Sequence, residues 1–256
     1  MLGAIAGDVI GSVYEWECSK TKDFSLFVPK STFTDDSVLT VAVADWLLTG
    51  QDLVDIFHSY TQMFPHRGYG LGFHQWATNR RRQPYNSFGN GSAMRVSPVA
   101  FAFRKLEEVL SHAEQSAAVT HNHPEGIRGA QAVATAIFLA REGKDKDDIR
   151  REVESRFLYD LGPSLQDIRA PYAFNETCQE TVPQALLAFL ESENYEDAVR
   201  NAISLGGDAD TLACIAGGIA EAYYGGVPAE IVSEVRSRLD APLLKVIDRF
   251  YEQFVS

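Results

Sequence analysis

A chain of 256 residues with 45% hydrophobic and 23% charged residues has ordinary globular composition, and it can bury a real core without a disulfide or metal merely to fold. Its net charge of −12 argues against a general nucleic-acid surface built on phosphate neutralisation; solubility is the plainest use of that acidity, with a minor share left for gathering cations. No apolar run approaches the ~20 residues of a membrane span, and Asp8, with no basic residue before it, spoils the N-terminal stretch as a signal peptide. Cys18, Cys178 and Cys214 are scattered and form no CxxC arrangement. They read as reduced thiols, so the expectation is a cytoplasmic protein with no membrane association.

In chain order, the first feature is GAIAGDVIGSVYE, where Gly3, Gly7 and Gly11 recur every four residues. On a helix these make a smooth face for close approach of another backbone or a ligand. Asp8 and Glu15, seven apart, share a face at 3.6 residues per turn. Asp8 alone reads as part of tight packing, and Glu15 as the better site residue. Ser37 to Leu48 is apolar nearly all round and stops at Gly50, which predicts a buried central helix. Phe64 to Ser97, rich in Gly, Asn, Arg and Tyr, lacks sustained periodicity and reads as loop lining a site. The Arg80-Arg81-Arg82 run within it reads as solvated. Further helices are predicted over Ala130 to Arg141, Val182 to Leu190, Leu212 to Tyr224, Val232 to Leu239 and Pro242 to Phe254. Strand signals are sparse, so residues 1–256 are expected to form one all-α domain, a compact orthogonal helical bundle.

Two short motifs carry the chemistry: Thr34-Asp35-Asp36-Ser37, opening the apolar helix, and Gly206-Gly207-Asp208-Ala209-Asp210-Thr211, opening the helix from Leu212. A single Asp or Thr there would be a cap worth ~1 kcal/mol. Each motif, however, presents two carboxylates and a hydroxyl and leads into a helix too apolar for uncompensated charge. Ligands that are all oxygen, with no His or Cys inside either short motif, point to Mg²⁺ or Mn²⁺ before Zn²⁺. Four carboxylates suit two such ions better than one, and paired ions are a recurring hydrolytic device.

These motifs, in this order, resemble those of the ADP-ribosylglycohydrolase family. GAIAGDVIGSVYE is similar to its opening helix, TDDS to its first metal motif and GGDADTLACIAGGIAEAYYG to its second. RGYGLG (67–72, with Gly70) and SFGNGSAMRVSPVAF (87–101) are similar to its ADP-ribose-binding loops, and THNHPEGIRGA (120–130) to its histidine motif. The resemblance implies a compact all-helical hydrolase that releases ADP-ribose from an ADP-ribosylated macromolecule at the anomeric carbon of the distal ribose. It implies two Mg²⁺, with Mn²⁺ as substitute, held by Thr34, Asp35, Asp36, Asp208, Asp210 and Thr211. Glu15 and Asp36 would then be catalytic. Gly70, Ser87, Phe88, Gly89, Asn90 and Gly91 would bind the substrate, and His121 would touch its ribose or phosphates.

The chain departs from some relatives at Phe88, where a tyrosine is common, and at Ser87, where some arginine-directed members carry an aspartate. SFGNGSAMRV is closer to the branch that cleaves O-linked ADP-ribose, whereas THNHP is closer to the arginine-directed branch. Two other readings fit the residues: a Mg²⁺-dependent phosphohydrolase of a nucleotide-like substrate, and a non-catalytic binding or structural protein on the same fold.

Overall fold

The computed structural model describes residues 1–17 and 19–255. Among these residues fifteen helices form, and the sole β feature is an isolated bridge between Gly89 and Thr177. The N-terminal half holds α1 (Leu2–Gly11), α2 (Asp35–Thr49), α3 (Leu53–Met63), α4 (Leu71–Thr78), α5 (Gly91–Met94), α6 (Ser97–Ala102), α7 (Leu106–Ala118) and α8 (Pro124–Arg141). There follow α9 (Lys146–Phe157), α10 (Leu165–Arg169), α11 (Cys178–Leu190), α12 (Tyr195–Ile203), α13 (Ala209–Tyr223), α14 (Ala229–Arg238) and α15 (Ala241–Phe254). None is long and apolar enough to cross a membrane.

The helix α13 is the hub, packed on α1, α8, α11 and α12, and every residue from Ala209 to Glu221 is buried. Helix α2 is buried from Asp36 to Ala44 and ends at Gly50, whose φ of +67° closes the helix in the left-handed region. Both match helices that are apolar all round, and one contiguous apolar core joins them to α1, α8 and α11.

The stripe of glycines explains how α1 reaches α13. A Cβ on Gly7 would lie 2.0 Å from the Ala213 carbonyl oxygen, and one on Gly3 would lie 2.4 Å from that of Gly217. The backbones touch there, and only glycine permits it.

Three sequence expectations change. Helix α1 stops at Gly11, so Asp8 and Glu15 share no helical face; Glu15 sits in the turn that follows. The stretch 64–97 is not all loop, since α4 and α5 lie in it. Helix α4 is eight residues long and buries Phe73, Trp76 and Ala77 at helical spacing. So short a helix shows too little periodicity to stand out among Gly, Arg and Asn. Helices α8 and α11 also begin earlier than predicted, at Pro124 and Cys178. Cys178 and Cys214 are free and buried, and Cys18 lies outside the described residues.

Candidate active site

The last full turn of α1 places Asp8 in the protein interior. Its carboxylate accepts hydrogen bonds from the backbone N–H of Thr34 (3.0 Å) and of Ser37 (3.0 Å), from Thr34 Oγ1 (2.7 Å) and from Ser37 Oγ. Four donors on one carboxylate fix the turn that starts α2. Thr34 also caps that helix, its hydroxyl accepting the Asp36 N–H at 3.3 Å. Asp35 and Asp36 follow in the first turn, where the helix dipole favours negative charge.

The second motif is built by a different device. Gly206 and Gly207, at φ +70° and +73°, turn the chain out of α12 so that Asp208 falls at the N-cap of α13, with Asp210 and Thr211 in the first turn. The Asn90 amide donates to Asp208 Oδ2 (2.7 Å) and to Thr181 Oγ1 (3.1 Å), bracing Asp208 from the opposite side of the site. Thr211 Oγ1 reaches Asp36 Oδ2 at 3.4 Å, which ties the two motifs together across 175 positions of sequence. The N-termini of α2 and α13 thus converge on one point.

That point carries more negative charge than the protein compensates. Asp36 Oδ1 is buried and has no hydrogen-bond donor. Burial, then the charges of Asp8 and neighbouring carboxylates, push the Asp35 and Asp36 carboxyls well above the usual range. Burial and the charges of Asp208 and Asp36 do the same to Asp210. Glu15 is pushed up to about 7 by burial and then by the charges of Asp208 and Glu176, against a hydrogen bond from Trp16, whose ring stacks on Phe174 at 5.4 Å. A cation at this cluster would remove all of these penalties at once.

Two groups of carboxylates bring ligand atoms within 4.8 Å of one another and could hold a metal ion: Asp8, Asp36 and Asp210, and Glu15, Asp208 and Asp210. Asp8 belongs to the first group by distance and also supports the turn, three of its four donors meeting Oδ2 and one meeting Oδ1. The orphaned Asp36 Oδ1 and the all-oxygen donor set fit a hard divalent cation.

The cluster borders a cleft of about 310 Å³, and so does every residue proposed from sequence except Phe88. The ring of Phe88 is exposed instead and packs edge-on against His123 at 5.3 Å. The Ser87–Gly91 turn is held in place by the start of α11 and the segment before it: Phe88 O accepts the Cys178 N–H (3.0 Å), and Asn90 N–H donates to Glu176 O (2.7 Å). Gly70 borders the same cleft with Gly68, Leu71, Gly72 and Phe73.

Among the other residues at the cleft, three polar ones were not singled out from sequence. Glu176 comes from a stretch with no motif, Tyr85 from the region read as loop, and Arg95 from within SFGNGSAMRVSPVAF. The methionine-flanked arginine was the readable signal among these. Arg95 is wholly buried, and burial lowers its guanidinium only to about 10, so it stays a cation.

The chain is similar to known proteins in both sequence and fold. The sequence profile of the family described as ADP-ribosylglycohydrolase matches residues 1–256. The chain is 27% identical over 300 residues to the ADP-ribosylhydrolase ARH3 of Xenopus tropicalis, covering 88% of this chain and 86% of that one. It is 32% identical over 155 residues to the ADP-ribosylarginine hydrolase Tri1 of Pseudomonas putida, covering 57% and 42%. A solved structure titled ADP-ribosylglycohydrolase-related protein complex superposes with a TM-score of 0.70 over 99% of this chain and 97% of that one, at 23% identity, and so shares the fold. With its profile matched from end to end and two acidic motifs joined at one cleft, the chain belongs to the ADP-ribosylglycohydrolase family.

Proposed function

We propose that the protein hydrolyses the glycosidic bond between ADP-ribose and a modified macromolecule, using two divalent cations, Mg²⁺ or Mn²⁺. The observation that carries this reading is the buried, donor-free Asp36 Oδ1 at the meeting point of two acidic helix N-termini, opening onto a cleft large enough for a nucleotide. Thr34, Asp35 and Asp36 from α2, with Asp208, Asp210 and Thr211 from α13, would hold the ions. When bound, the ions supply Lewis acidity and a template for the ribose hydroxyls.

The protein's own groups do the rest. The Ser87–Gly91 turn and His121 hold the nucleotide portion, and Asn90, whose amide reaches Asp208, brings the distal ribose against the carboxylates. There the carboxylates stabilise the positive charge that develops at the anomeric carbon as the leaving group departs. Glu15 stands beside Asp208 and Asp210 at the cleft wall, where it orients the attacking water and accepts its proton. The names of ARH3 and Tri1 are consistent with this chemistry.

The test is incubation with arginine-linked and serine-linked ADP-ribose substrates, with Mg²⁺ and with EDTA. Free ADP-ribose should appear only with the metal. Release of AMP or inorganic phosphate would make it a phosphohydrolase. Full turnover in a chelated sample would remove the cations from the reaction.

A further inference from the structure

His121 Nε2 is the ring nitrogen nearest the glycine turn, and a chain of hydrogen bonds stands behind Nδ1. Arg95, the residue that closes α5, is wholly buried. It lies outside ion-pair distance of every carboxylate among the described residues. Its Nη2 donates to the Ser116 carbonyl (2.8 Å) and to Thr120 Oγ1 (2.9 Å), and its guanidinium carbon lies 4.6 Å from the centre of the Phe57 ring. Thr120 is itself wholly buried, and its hydroxyl meets His121 Nδ1 at 2.7 Å.

A guanidinium has no acceptor, so at the first contact Thr120 Oγ1 must be the acceptor. The hydroxyl still has a proton to place, and His121 Nδ1 is the acceptor within reach. Were Nδ1 to carry hydrogen, Thr120 would face two donors while its own proton lay buried without a partner, an arrangement that folded proteins avoid. We infer that Arg95 and Thr120 lock the neutral His121 ring as the Nε2–H tautomer, which makes Nε2 a fixed hydrogen-bond donor to the cleft.

The position of Nε2 gives that donor a use. It faces the glycine turn so closely that a Cβ on Gly91 would lie 3.1 Å from it and one on Gly89 3.6 Å, and all three residues border the cleft. A ligand therefore meets an N–H at this point, never a lone pair. The site accepts an oxygen with free lone pairs, such as a diphosphate oxygen, and rejects an amino or protonated group. Burial and the Arg95 charge hold His121 well below its ordinary pKa, so the ring is neutral and the tautomer governs the contact. Arg95 and Thr120 act through His121 and are positioning residues. The ligand assignment rests on the ADP-ribose reading above, whereas the tautomer does not.

Nitrogen-detected NMR of the full chain, with the His121 signals assigned by their loss in His121→Gln, tests this. The expected spectrum has Nε2 in the pyrrole-like range and Nδ1 in the pyridine-like range. Thr120→Val keeps the shape and removes the hydroxyl; it should release the tautomer and weaken ADP-ribose binding about tenfold by calorimetry, while Thr120→Ser restores both. An Nδ1–H ring in the unmodified protein overturns the inference without recourse to any variant, and so does a Thr120→Val protein with tautomer and affinity unchanged. An Nε2–H ring in a protein that does not bind ADP-ribose upholds the lock and overturns the ligand reading.

Discussion

Asp8 and Asp36 are both buried aspartates with raised pKa values, and their hydrogen bonding gives them opposite roles. Asp8 has four donors, three of them on Oδ2; Asp36 has an oxygen with none. Sequence spacing cannot separate these cases, because both lie in apolar surroundings and only the folded donors tell them apart. Glu15 is the residue whose role is most open to a kinetic test. Replacing it by glutamine keeps the shape but removes the proton acceptor, so kcat should fall ~10²–10⁴-fold with ADP-ribose binding largely kept. Single-turnover kinetics beside calorimetry would measure both, and a near-normal kcat would remove Glu15 from the mechanism. His121 supplies a pH prediction. Its folded-state pKa is depressed, so the unfolded chain binds the extra proton as pH falls below the ordinary 6.5. Stability from the neutral ring is complete above that value and drains away on acidification, at up to ~1.4 kcal/mol per pH unit. Urea melts from pH 7.5 to 5 should show a steeper acid loss in the unmodified protein than in His121→Gln; equal slopes would contradict it.

Among the elements, the pairing of α1 with α13 does the positioning. The glycine stripe was legible as a close-approach face, but its partner was not, since nothing in the residues 3–11 names a helix 200 positions away. Where the backbones meet, Gly11 abuts Asp210: a Cβ on it would lie 2.5 Å from the Asp210 Cα. The same stripe that packs the core thus sets the second motif against the turn held by Asp8. Gly7→Ala would drive a methyl into the Ala213 carbonyl and should cost at least the ~3 kcal/mol upper end of overpacking. The expected result is a large drop in melting temperature or failure to fold. A melting temperature unchanged within a degree would mean that the helices do not meet this closely. Helix α4 illustrates the opposite failure of sequence reading, because eight residues carry too few apolar repeats to be distinguished from loop.

Across the whole molecule, the acidic cluster is a destabilising feature of the metal-free protein, since its carboxyls favour protonation in the fold and ionisation in water. Because their folded pKa values are raised, the stability that they contribute is present below the ordinary carboxylate range and is lost as pH rises through the raised values. A divalent cation should reverse that loss at neutral pH. At about 100 times its dissociation constant it adds ~2.7 kcal/mol, or roughly 5–10 °C in melting temperature for a chain of this size. The shift should move one transition, because α1, α2 and α13 belong to one core. Asp210→Ala should abolish most of the shift while leaving a folded helical protein. A cation shift retained in that variant would place the ions elsewhere.

What the sequence by itself determined is the class of fold, the central helices and the identity of the acidic and glycine-rich motifs, since these rest on local periodicity and on residue types with few other uses. Only the tertiary structure decided which carboxylate is a support and which is left without donors. It also showed that the Asn90 amide braces Asp208, that Phe88 turns away from the cleft, and that Arg95 and Thr120 stand behind His121. The reason is physical: a helix is written in contacts three and four residues apart, whereas a site is written in hydrogen bonds between segments more than a hundred residues apart, whose partners no local pattern specifies.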